Sequence, residues 1–98
     1  MGFTVTFRLN NPYPAGSPIT FEYDAHNDGP DEPVGHLDQV QVWGISSKPL
    51  DVMISAFATV TGETYTTPVE VDPLPAGHYD VSVTIPSSAG AGTTIIVQ

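Results

Sequence analysis

Apolar and polar residues alternate along most of this chain with the two-residue period of extended backbone, and no stretch keeps a helical period. Phe3, Val5, Phe7 and Leu9 alternate with Thr4, Thr6 and Arg8. That puts four apolar side chains on one face of a first strand. Asn10 to Pro18, with Pro12, Pro14 and Gly16, cannot extend it. Ile19, Phe21, Tyr23 and Ala25 then alternate with Thr20, Glu22, Asp24 and His26, a second strand with a strongly polar outer face. Gly29, Pro30 and Pro33 break the pattern between Asn27 and Gly35.

The spacing predicts a third strand over Leu37 to Ile45 and, after the turn Ser46-Ser47-Lys48-Pro49, a fourth over Leu50 to Val60. Thr61-Gly62-Glu63 turns into a fifth over Thr64 to Val71. Pro68 marks that strand as an edge or a bulge, because proline cannot donate to a ladder. Asp72 to Gly77 is a turn. Tyr79, Val81, Val83 and Ile85 form the sixth strand, and Thr93 to Val97 the seventh, after a flexible run from Ser87 to Gly92. Seven short strands at roughly 10 to 14 residue spacing, with turn chemistry between them, predict an all-β fold: one immunoglobulin-like antiparallel sandwich over residues 1–98.

Composition narrows the function. Eleven acidic residues against Arg8 and Lys48 give a net charge of -9, which repels nucleic acid and anionic membrane surfaces and favours a basic or cation-lined protein partner. With no cysteine, disulfides and thiolate chemistry are excluded and the core must hold the fold by itself. No apolar run approaches the ~20 residues of a membrane span, so no membrane insertion is expected. The start, Met1-Gly2-Phe3-Thr4-Val5, lacks the basic and apolar regions of a secretion signal. The expectation is a chain not exported by that route, or a mature or excised domain.

The segment Leu74-Pro75-Ala76-Gly77-His78-Tyr79-Asp80-Val81 places a tyrosine at the mouth of a strand, two residues before a core position. Sandwich domains use such a tyrosine to bond back to the preceding corner. Together with Asn27-Asp28-Gly29 and Gly62-Glu63-Thr64-Tyr65-Thr66, it resembles the cell-adhesion-related domain of bacteria (CARDB) and, more distantly, fibronectin type III domains. The resemblance spans about Pro18 to Val97. It implies an extracellular or cell-surface, non-catalytic module and carries no catalytic residue.

Candidate chemistry is sparse. Asn27, Asp28, Asp31, Glu32 and Asp38 bring five oxygen-bearing side chains near one loop, and calcium takes six to eight oxygens. Asp28, Asp31 and Glu32 are the candidate calcium ligands. Their spacing matches no standard calcium loop, so the preferred reading is that Asn27, Asp28 and Gly29 shape a turn while Asp31 and Glu32 face water. His26, His36 and His78 share no short ligand spacing. No nucleophile elbow, metal motif or phosphate loop frames the serines and histidines, so no enzyme and no cofactor are expected.

The third and fourth strands carry the informative anomaly, because a half-buried strand should be polar on one parity. Val40 and Val42 claim the inner face, which turns Leu37, Gln39, Gln41, Trp43 and Ile45 outward. In the fourth strand Val52, Ile54, Ala56, Ala58 and Val60 oppose Met53 and Phe57. The preferred arrangement is a bulge that swings Trp43 into the core. The other leaves a partner-binding patch drawn from Gln41, Trp43, Ile45, Met53, Ile54 and Phe57. The functional expectation is a protein-interaction module acting as a structural accessory of a larger assembly, at a cell surface or in a virion. A second copy of the chain is a further candidate partner. Two alternatives stand beside it: a proteinase inhibitor presenting the Asn27 to Gly35 loop, and a carbohydrate-binding module using Trp43 with Gln39 and Gln41.

Overall fold

The computed structural model describes residues 2–32, 35–44, 50–56, 59–86 and 90–98. The expected Ser46 to Pro49 turn and the candidate patch residues Ile45 and Phe57 lie outside the described residues, as does Ala58. Seven strands form: β1 (Phe3–Arg8), β2 (Ile19–Asn27), β3 (His36–Trp43), β4 (Leu50–Ala56), β5 (Thr64–Val71), β6 (Gly77–Thr84) and β7 (Ala91–Val97). They build two antiparallel sheets, β1-β2-β5 and β4-β3-β6-β7. The architecture is the immunoglobulin-like sandwich that the strand pattern requires.

Period-two alternation sets which side chains meet. Ile19, Phe21, Tyr23 and Ala25 of β2, Val69 and Val71 of β5, Val40 and Val42 of β3, and Val81 and Val83 of β6 all face inward and are buried. Ile85, Ile95, Val97, Tyr13, Leu74 and Tyr79 complete the core. Phe3, Val5, Phe7, Val52 and Ile54 close it from the flanks. Each fully buried aliphatic contributes roughly 1.5 to 3 kcal/mol, so this single layer holds the sandwich without a disulfide.

The corner tyrosine is where its motif places it. Tyr79 is buried and its hydroxyl donates to the Pro75 carbonyl at 2.7 Å. Pro68 stands on β5, an edge strand, and the register from Ile19↔Val71 to His26↔Thr64 runs through it unbroken, so it marks an edge and not a bulge.

Several expectations need correction. β4 ends at Ala56, short of the expected Val60: beyond it Thr59 bridges Glu32, and Val60 is exposed. β7 begins at Ala91, because Ala91 and Gly92 of the glycine-rich run continue the ladder opposite Val83 and Ser82. The Asn10 to Pro18 segment, expected only as a connection, covers the free edge of β7. Tyr13 N–H donates to Ile96 O, Gln98 N–H to Tyr13 O, Ala15 N–H to Gln98 O, and the Asn11 side chain bridges Thr94 O and Ile96 N–H. A sheet edge that would otherwise present open backbone groups is thereby satisfied.

Candidate functional site: the outer face of the four-stranded sheet

Strand β3 decides this face. Its register with β6, from Gln39↔Thr84 to Trp43↔Asp80, is continuous, so no bulge turns Trp43 inward. With Val40 and Val42 both fully buried, the pleat sends Leu37, Gln39, Gln41 and Trp43 to the other side. The preferred core placement of Trp43 is therefore overturned: Trp43 is 44% exposed on the outer face. The core space is already taken by Phe21, Tyr23 and Tyr79. Gly44 ends the strand with φ +101°, in the region that favours glycine.

The same register assigns the other candidates. Met53 sits opposite Gln39 and is 53% exposed, and Leu37, diagonal to it, is 48% exposed. Gln41 lies opposite Asp51 and its side-chain amide donates to that carboxylate at 2.9 Å. Ile54, in contrast, faces inward and packs on the core, so it takes no part in the outer face. Six residues at about 3.4 Å each separate Leu37 from Trp43 by ~20 Å. The face thus has an apolar spot at one end, a polar strip of Gln39 and Gln41, and Trp43 at the other end. Beside Trp43 runs a shallow groove of about 680 Å³ whose walls include Asp80, Ser82, Gly92 and Thr94.

In the acidic loop the candidate ligands turn to separate partners. Asn27 is buried and closes the turn: its Oδ1 accepts from Gly29 N–H at 2.8 Å and its Nδ2 donates to Pro30 O at 3.1 Å. Asp28 accepts from the Thr4 hydroxyl and lies 3.5 Å from His26 Nε2. Asp31 accepts from Thr61 N–H at 2.8 Å, with the Thr61 hydroxyl 3.0 Å away. These bonds hold the Asp31 carboxyl below the ordinary aspartate range. Glu32 is not the solvent-facing residue expected: it is half-buried, 3.9 Å from His36 Nε2. Among the described residues no three His, Cys, Asp or Glu side chains gather as metal ligands would.

Asp38 belongs to neither surface feature. It shares parity with Val40 and Val42 and is fully buried. The hydroxyls of Tyr23 and Tyr65 donate to its Oδ2 at 2.8 and 2.7 Å. His36, whose side chain is 8% exposed, brings Nδ1 within 2.9 Å of Oδ1, off the line of a good hydrogen bond. Burial first, then the Asp38 carboxylate, pushes both phenols well above their ordinary value. Asp38 lies on the four-stranded sheet and both tyrosines on the three-stranded one, so the cluster ties the two layers together. The signal for it was available: His36, Asp38, Val40 and Val42 are one parity of one strand.

No protein-family model and no curated protein matches the sequence. Solved structures of β-glucosidase from Listeria innocua share the fold. The glucose complex superposes with a TM-score of 0.70 at 16% identity, covering 97% of this chain and 16% of that one. A D270A variant with laminaribiose gives 0.69 at 16% identity, covering 98% and 16%. This chain therefore spans about a sixth of the length of those enzymes, and the likeness is one of fold.

Proposed function

We propose that this chain is a non-catalytic interaction module that docks on a larger assembly through the outer face of its four-stranded sheet. One observation carries the reading: Leu37, Trp43 and Met53, three of the large hydrophobics exposed among the described residues, stand on this single face. Exposed aromatic and methionine side chains on one side of a soluble domain are the composition of interface cores. The fold likeness to one portion of much larger enzyme chains supports a role beside other domains, by analogy of architecture alone. The assembly at a cell surface or in a virus particle is the setting that belongs to this reading.

The energetics set the kind of partner. Full burial of a large apolar side chain is worth ~1.5 to 3 kcal/mol, and these three are already half covered. Association costs at least ~4 kcal/mol. The apolar anchors alone give a weak contact, and a partner surface complementary to an acidic domain supplies the remainder.

A photo-crosslinking residue in place of Met53, compared with one in place of Thr6 on the three-stranded sheet's outer face, tests this in cells that make the chain. One discrete adduct is expected from position 53, lost when Leu37→Ser and Trp43→Ser are added, and none from position 6. An adduct from position 6 alone, or from neither position, would sink the reading.

A further inference from the structure

We infer that the groove beside Trp43 is a subsite for an arginine side chain carried by an extended basic segment of the partner protein. The inference rests on the reading of this sheet face as the contact surface and names what the Trp43 end of it recognises.

Charge complementarity points to the occupant. Trp43 and Asp80 are cross-strand partners on β3 and β6 and both line the groove, which places an aromatic face and a carboxylate within reach of one ligand group. Among the described residues the face offers Asp51 and Asp80 and no lysine or arginine. Arg8, the described cationic side chain outside histidine, lies on the opposite sheet, held by Glu22 at 2.7 Å and Asp24 at 3.2 Å. The chain as a whole carries -9. An anionic ligand is repelled from such a site, and a cation is drawn to it.

The shape selects among cations. Gly92 has no side chain and Ser82 and Thr94 have short ones, so none of these three closes the groove beside the indole. A planar guanidinium can lie on the indole while its N–H groups reach Asp80 and the Ser82 and Thr94 hydroxyls. An ammonium is a compact point charge and satisfies fewer of these groups at once. A contact between two apolar patches fits less well here, because Leu37 lies ~20 Å away along the strand and the strip between is Gln39 and Gln41.

Trp43 is the one tryptophan of the chain, so its fluorescence reports the site directly. Hexa-arginine titrated into the whole chain is expected to shift Trp43 emission saturably to shorter wavelength and to bind several-fold tighter than hexa-lysine. Trp43→Ala, which leaves the charge unchanged, is expected to weaken hexa-arginine about tenfold when followed by calorimetry. Asp80→Asn is expected to weaken it several-fold, and Asp72→Asn, the same charge change away from the groove, by less than half as much. Equal binding by wild type and Trp43→Ala, or equal losses in Asp80→Asn and Asp72→Asn, would reduce the effect to diffuse charge and overturn the subsite. A saturable shift with laminarihexaose and none with hexa-arginine would also overturn it, in favour of a sugar platform. Crosslinking from position 53 separates these failures from failure of the face itself: a retained adduct leaves the contact surface standing while the arginine subsite falls.

Discussion

Removing the Asp38 carboxylate is the sharpest test of how this sandwich holds its two layers together. Asp38→Ala leaves the Tyr23 and Tyr65 hydroxyls, now 2.7–2.8 Å from their acceptor, and the enclosed His36 ring without their common partner. Breaking a buried charged cluster by removing one member costs ~3 to 5 kcal/mol, because the remaining polar groups stay buried and unpaired. Total stability for a domain of this size is about 5 to 15 kcal/mol, so the variant sits near the limit of folding. In urea, with a slope of about 1 to 2 kcal/mol/M, the midpoint is expected to fall by roughly 1.5 to 5 M. Tyr65→Phe removes one donor and leaves Tyr23 on the carboxylate, so it is expected to cost only ~1 to 3 kcal/mol. The triple change Asp38→Val with Tyr23→Phe and Tyr65→Phe removes the stranded hydroxyls together and is expected to recover much of the Asp38→Ala loss. Urea unfolding followed by near-ultraviolet circular dichroism measures all three. A loss below about 1 kcal/mol in Asp38→Ala, or a triple variant no more stable than it, would refute the view that this carboxylate links the sheets.

Tyr79→Phe should cost ~1 kcal/mol by removing the hydroxyl bond to Pro75; thermal melts that superimpose would remove the corner from the stability argument. The raised Tyr23 and Tyr65 phenols give alkaline sensitivity of definite sign. Above pH 10 the unfolded-state phenols ionise while the native ones stay protonated, so the unfolded state binds fewer protons and stability falls with pH. Urea midpoints should hold up to pH 10 and drop above it, less so in Tyr65→Phe, and an unchanged slope would contradict the burial of these groups. Millimolar calcium should leave the melting temperature unchanged, since the loop carboxylates are turned to separate partners. A stabilisation that titrates with calcium and vanishes in Asp28→Ala would show a site the loop geometry does not reveal. Gly44→Ala should destabilise by ~1 kcal/mol or more through its positive φ, read as a lower melting temperature.

Much of this fold was legible along the chain. Alternation over Phe3 to Leu9, Ile19 to Ala25 and Tyr79 to Ile85 settles strand, face and core together, because a side chain in extended backbone points to one of two sides and burial selects which. The Tyr79 corner was readable for the same reason: its partner is four residues away, within the local chain. The acidic balance and the absence of cysteine likewise needed no structure to exclude nucleic acid and disulfides as expectations. Three features were decided only by the tertiary structure. Trp43 points outward because the β3–β6 register is unbroken and Tyr79 and Phe21 already fill the core, and both facts depend on strands far apart in sequence. The inward direction of Asp38 is readable from its parity with Val40 and Val42, but its role appears only when Tyr23 and Tyr65, from a different sheet, arrive with hydroxyls to satisfy it. The Asn10 to Pro18 segment has no strand period and reads as a break, and it covers β7 because its backbone at Tyr13 and Ala15 pairs with Ile96 and Gln98, residues some eighty positions away. Local pattern fixes which way a side chain leaves its strand, but which groups wait on the other side is a property of packing between segments, and that information is carried by the whole sequence acting at once.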